Sequence, residues 1–140
     1  SMSRVFSEGI ERNKVSRIAA VCEKHLHLRF SDQDLYINIG GGLKINEVGI
    51  DLPLALALYS ARTDLPIPQD SAVCGEVSLA GEIRKIPHIR RRLKTAAEIG
   101  FSNFISPAAG MDSDPKTATT GWRQVNTIQQ AIESVFTKGT

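Results

Sequence analysis

The chain has 140 residues and a formal net charge of +2, with 41% hydrophobic and 23% charged residues. That length fits one domain able to bury about two-thirds of its unfolded surface, and the composition excludes wholesale disorder. No apolar run reaches the roughly 18 residues a bilayer span needs, and no signal-peptide pattern occurs, so the expected location is the cytoplasm with no membrane partner. Ser1-Met2 reads as a cloning remnant ahead of an internal start, and 3–140 as a single domain from a longer protein. Cys22 and Cys74 stand far apart and form no CxxC pair, so both are expected to be reduced and buried.

From Asn13 to Leu26 the apolar residues Val15, Ile18, Ala19, Cys22 and Leu26 recur at helical intervals, predicting an amphipathic helix. His25 and His27 near its end cannot share one helical face, which argues against a metal pair. Asp34–Ile39 alternates and reads as a strand. The glycines at 40–42 break it, and Leu43–Ile45 reads as a second short extended piece. The run GGGLKI lacks the GKS or GKT ending of a phosphate loop, so a tight turn or bulge is the better reading. Asp51 can cap a helix from Leu52 to about Ala61 that is apolar all round and so belongs in the middle of the fold.

The prolines in 64–70 make a rigid connector. Residues 71–79 and 82–86, joined through Ala80-Gly81, read as a β-hairpin. After Pro87 the stripe Ile89, Leu93, Ala96 and Ala97 marks a helix ending at Gly100, and 102–105 a strand closed by Pro107. Residues 108–121 read as a mobile loop and Trp122–Val125 as a last strand. The N-x-x-Q at Asn126 then opens a final helix through Ile128, Ile132, Val135 and Phe136. The expected fold class is therefore α/β, a mixed sheet with packed helices.

Charge is distributed unevenly. Arg84, Lys85, Arg90, Arg91, Arg92 and Lys94 are six basic residues in a stretch with no acid; removing them leaves eleven basic against fifteen acidic residues, a net charge of −4. The cluster admits three readings: a solvated helix face, a subunit interface, or a surface that contacts nucleic-acid phosphates. No aromatic residue interleaves with it, which favours duplex backbone contacts over a single-strand stacking platform. No GxSxG elbow, metal-ligand spacing or Cys–His pairing supplies an activated nucleophile.

GGGLKI at 40–45, DLPLALA at 51–57, LPIPQD at 65–70, GEVSLAGEIR at 75–84 and AAEIGF at 96–101 follow one another at fixed spacing. Together with GIERN at 9–13, this ordered set resembles the C-terminal Lon-protease-like domain of the bacterial RadA (Sms) family of DNA repair proteins. The resemblance runs from about Arg4 to Pro107; the last strand and helix agree in pattern only. It implies a Lon protease proteolytic-domain-like, ring-forming fold. It also implies a fuller protein with a zinc-binding segment and a RecA-like ATPase core, which would use ATP, magnesium and zinc that this piece does not itself need. The implied role is homologous recombination by a hexamer that binds DNA during branch migration, with the recombinase RecA as a further partner.

Lon proteases use a serine–lysine dyad, and a gap-free count places its two positions at Gly49 and Arg90. Glycine offers no nucleophile, and an arginine, with a pKa above about 12, cannot act as a neutral base, so the dyad is read as lost. The expected DNA-binding residues are Lys44, Arg84, Lys85, Arg90, Arg91, Arg92 and Lys94, those of the 90–92 triplet resting on their charge rather than on the resemblance. Asp51 is expected as a helix cap or a polar contact near the relic site. The alternatives are a serine peptidase with a displaced dyad and a purely structural oligomerisation module.

Overall fold

The computed structural model describes residues 4–109 and 121–136. In order these are β1 (Val5–Glu8), α1 (Arg12–Leu26), β2 (Leu35–Asn38), α2 (Asp51–Thr63), β3 (Ser71–Val73), β4 (Glu76–Val77), β5 (Ile83–Arg84), α3 (Ile89–Ile99), β6 (Asn103–Ser106), β7 (Trp122–Gln124) and α4 (Ile128–Phe136). The class is mixed α/β. Most of the loop expected over 108–121, and Ser1-Met2, expected as a remnant, lie outside the described residues.

The described strands form three small sheets rather than one mixed sheet. β1 pairs parallel with β2, β3, β6 and β7 form a parallel sheet in the order β3-β6-β7, and β4 pairs antiparallel with β5. β1 is an addition to the expected elements. Its Val5 and Ser7 turn inward beside Leu35 and Ile37 of β2, while Phe6 and Tyr36 stack on the outer face with centroids 4.8 Å apart.

The strand expected over 71–79 breaks at Cys74-Gly75. Gly75 leaves the sheet to donate to the Gly49 carbonyl (3.0 Å) and to accept from the Leu52 amide (2.9 Å), so β3 and β4 serve different sheets. A Cβ at Gly75 would lie 3.1 Å from Ile83 Cγ2, which is why the smallest residue sits at this crossing. Leu43–Ile45, expected as a strand, joins none; the Ile45 amide is instead spent on the Gly9 carbonyl (2.6 Å).

The main core is built by α1, α2 and α4, with Ile18, Leu52, Leu56 and Ile128 fully enclosed. Side chains of that size each stabilise the fold by about 1.5–3 kcal/mol on burial. α2 is the central helix its all-round apolar sequence requires. A second, smaller core of Cys74, Ile86, Ile89, Leu93, Ala96 and Phe104 lies under α3 and fixes that helix to the β3-β6-β7 sheet. Among the described residues, no helix is long and apolar enough to cross a membrane.

Candidate nucleic-acid interface

The basic residues are set out by two periodicities. In the hairpin Val77 and Ile83 face inward, so the alternation of a strand turns Arg84 to solvent, and Lys85 follows it there. In α3 the buried stripe is Ile89, Leu93 and Ala96, which leaves Arg91 and Lys94 exposed and Arg90 and Arg92 half-buried on its flanks.

The two flanking arginines have distinct surroundings. The Arg92 guanidinium forms an ion pair with Glu47, and its Nε donates to the Pro87 carbonyl (3.0 Å), so this side chain is engaged within the fold. Arg90 Nη2 is buried and has no hydrogen-bond partner among the described residues. Lys44 is exposed but belongs to another region, lining a cavity with Gly9, Lys14 and Asn46. Arg84, Lys85, Arg91 and Lys94 are thus the solvent-facing cations of the cluster, on one hairpin–helix unit.

Gly49 is buried, and a Cβ there would meet both Glu47 Oε1 and Ile86 Cδ1 at 2.9 Å. Glu47, beside this position, is the partner of Arg92. Cys74, in the same neighbourhood, has its thiol pushed up to about 11 by burial, with the nearby charges of Arg92 lowering it and Glu47 raising it. It is therefore a protonated thiol near neutral pH and a poor nucleophile. Cys22 is pushed up to about 12 by burial alone.

Asp51 is a polar hub rather than a cap. It occupies the first turn of α2, where no side-chain cap bond forms, and its carboxylate is fully buried. It accepts from Lys14 Nζ (2.7 Å), from Arg17 Nη2 (3.4 Å) and from the Val77 amide (3.1 Å). One carboxylate thereby ties α1, α2 and β4 together. The signal in the sequence was the pair Lys14 and Arg17, one helical turn apart beside the buried stripe of α1.

The family model described as subunit ChlI of Mg-chelatase matches residues 7–110. The chain belongs to that family. Within the range of the match lie the Asp51 hub, the hairpin and all of α3. The family's description names a magnesium-chelatase subunit, whereas the similar proteins are named for DNA repair. The DNA repair protein RadA of Treponema pallidum is 46% identical over 138 residues, covering 99% of this chain and 30% of that protein. The DNA repair protein RadA of Salmonella typhimurium is 45% identical over 112 residues, covering 80% of this chain and 24% of that one. That of Escherichia coli is 44% identical, covering 84% and 25%. The likeness read from GGGLKI and GEVSLAGEIR therefore extends over nearly the whole chain, which spans less than a third of the length of these relatives.

Proposed function

We propose that this chain is a non-proteolytic, Lon-like domain of a DNA repair ATPase, which holds DNA by its phosphate backbone and supports a ring, hexameric in the whole protein. The observation that carries the DNA reading is the hairpin–helix unit. Four cations, Arg84, Lys85, Arg91 and Lys94, face solvent there without an intervening acid. Such a unit neutralises phosphates with little base preference, and repeated copies in a ring would add by avidity. The relatives' name supports the repair setting. The lack of proteolysis follows from chemistry: Gly49 has no hydroxyl, and Arg90 cannot be a neutral base. ATP, magnesium and zinc, branch migration and contact with RecA belong, in this reading, to the whole protein.

The test is a titration of labelled duplex at two salt concentrations, beside the variant Arg84→Glu/Arg91→Glu/Lys94→Glu. Arg92 is left in place because it pairs with Glu47. Affinity that falls with salt, and that the folded variant loses by tenfold or more, is the expected result. Each lost phosphate contact should also reduce the slope of log affinity against log salt by about 0.9. Equal binding by the variant would remove the DNA role from this unit. A ring with no DNA affinity would make the domain a structural module, and labelling by a serine-reactive fluorophosphonate would restore the peptidase reading.

A further inference from the structure

Lys85, His88, Arg90 and Arg91 line a cavity of about 340 Å³ between the start of α3 and the chain leaving β6 at 108–109. Among the described residues, no carboxylate stands in its wall. Three other cavities of the molecule each include one: Glu8 in the first, Asp34 in the second and Glu11 in the third. The space equals about eleven waters at about 30 Å³ each, enough for a tetrahedral oxyanion with part of the group esterified to it.

One feature of the helix and one of the side chains agree on the sign of the ligand. α3 starts at Ile89 without a side-chain cap bond and without an acid in its first turn, so nothing on the helix itself offsets the positive end of its dipole. His88, the N-cap residue, is left-handed at φ 64° and stands in the cavity wall. Arg90, also in that wall, carries the buried Nη2 that lacks a hydrogen-bond partner among the described residues. A buried donor left unmade is costly, and for a cation more so, and a turn of the guanidinium toward the cavity would let an anion there satisfy it by a charge-assisted bond.

We propose that this cavity is a phosphate subsite, in which one tetrahedral oxyanion seats against the first turn of α3 with Arg90 as its inner donor and Lys85 and Arg91 as its outer ones. The inference deepens the DNA reading, since the oxyanion can be a backbone phosphate or a free one. It goes beyond a general cationic surface by naming a discrete pocket with an inner residue, Arg90.

The test is calorimetric titration of the 140-residue chain with inorganic phosphate, with chloride at equal ionic strength as reference, for wild type, Arg90→Gln and Lys85→Gln. Phosphate should bind above the chloride background, and Arg90→Gln should weaken it about tenfold or more, the loss expected for a hydrogen bond to a charged group. Lys85→Gln, at an exposed position, reports on the same pocket where Arg90→Gln fails to fold. Phosphate that competes with duplex identifies a backbone phosphate as occupant; phosphate that binds without competing identifies a free anion. Heat indistinguishable from chloride overturns the subsite, as does binding that both variants leave unchanged, an adventitious ion only. In either case, duplex affinity that still depends on Arg84, Arg91 and Lys94 would leave the DNA reading standing.

Discussion

Asp51 touches no water, yet its carboxylate is shared by two cations and a backbone amide. Such a group is held by its partners, and its loss strands them. Asp51→Asn should cost about 3 kcal/mol in urea unfolding, the lower end for a broken buried pair, because Lys14 and Arg17 keep some contact with solvent. Asp70 is the opposite case, an exposed carboxylate held below its usual range chiefly by the Ser102 hydroxyl and also by the Asn103 amide. A folded-state value below the unfolded one means that the stabilisation is complete above about pH 4, the ordinary aspartate value. It is lost as pH falls through the lowered value. The gap in melting temperature between wild type and Asp70→Asn should therefore be full at neutral pH and close in strong acid.

The start of α4 shows how fine local chemistry decides an element. Asn126 was the expected cap, but Thr127 Oγ1 accepts from the Gln130 amide while the Gln130 side chain accepts from the Asn126 amide, so the box lies one residue further on. Thr127→Ala should lower stability by about 1 kcal/mol in thermal unfolding, and Asn126→Ala by clearly less. The four helices were legible because their buried residues recur on one face, as Ile89, Leu93 and Ala96 do in α3. β1 was not, because four residues give too short an alternation and its strand partner among the described residues, β2, lies beyond a whole helix. The break at Gly75 was equally hidden, since it depends on backbone bonds to Gly49 and Leu52 that no local pattern announces. Within the basic cluster, the helical wheel separated Arg91 and Lys94 from Arg90 and Arg92. It could not show that Glu47, from a distant turn, engages Arg92.

The molecule as a whole is an acidic body carrying one cationic unit. That asymmetry concentrates positive charge at the hairpin and α3 even though the net charge is only +2. A ring of such copies should bind duplex far more tightly than one copy, without any new contact. Duplex affinity measured alongside light-scattering mass, across a dilution series, should fall together with the assembled fraction. Affinity that stays constant while the assembly dissociates would show that each copy binds alone.

The arrangement of the strands also has a consequence in time. β1 and β2 close around α1, and β3 and β6 close around the hairpin and α3, so these two parallel pairs bring together distant parts of the chain. The chain must lose the entropy of each long loop before such a pair gives anything back, which places refolding roughly in the millisecond-to-second range. Among the described strands, β4 and β5 alone pair locally. The hairpin that presents Arg84 is thus the strand pairing with the lowest closure cost among the described strands, lower than that of the β3–β6 pair on which α3 rests.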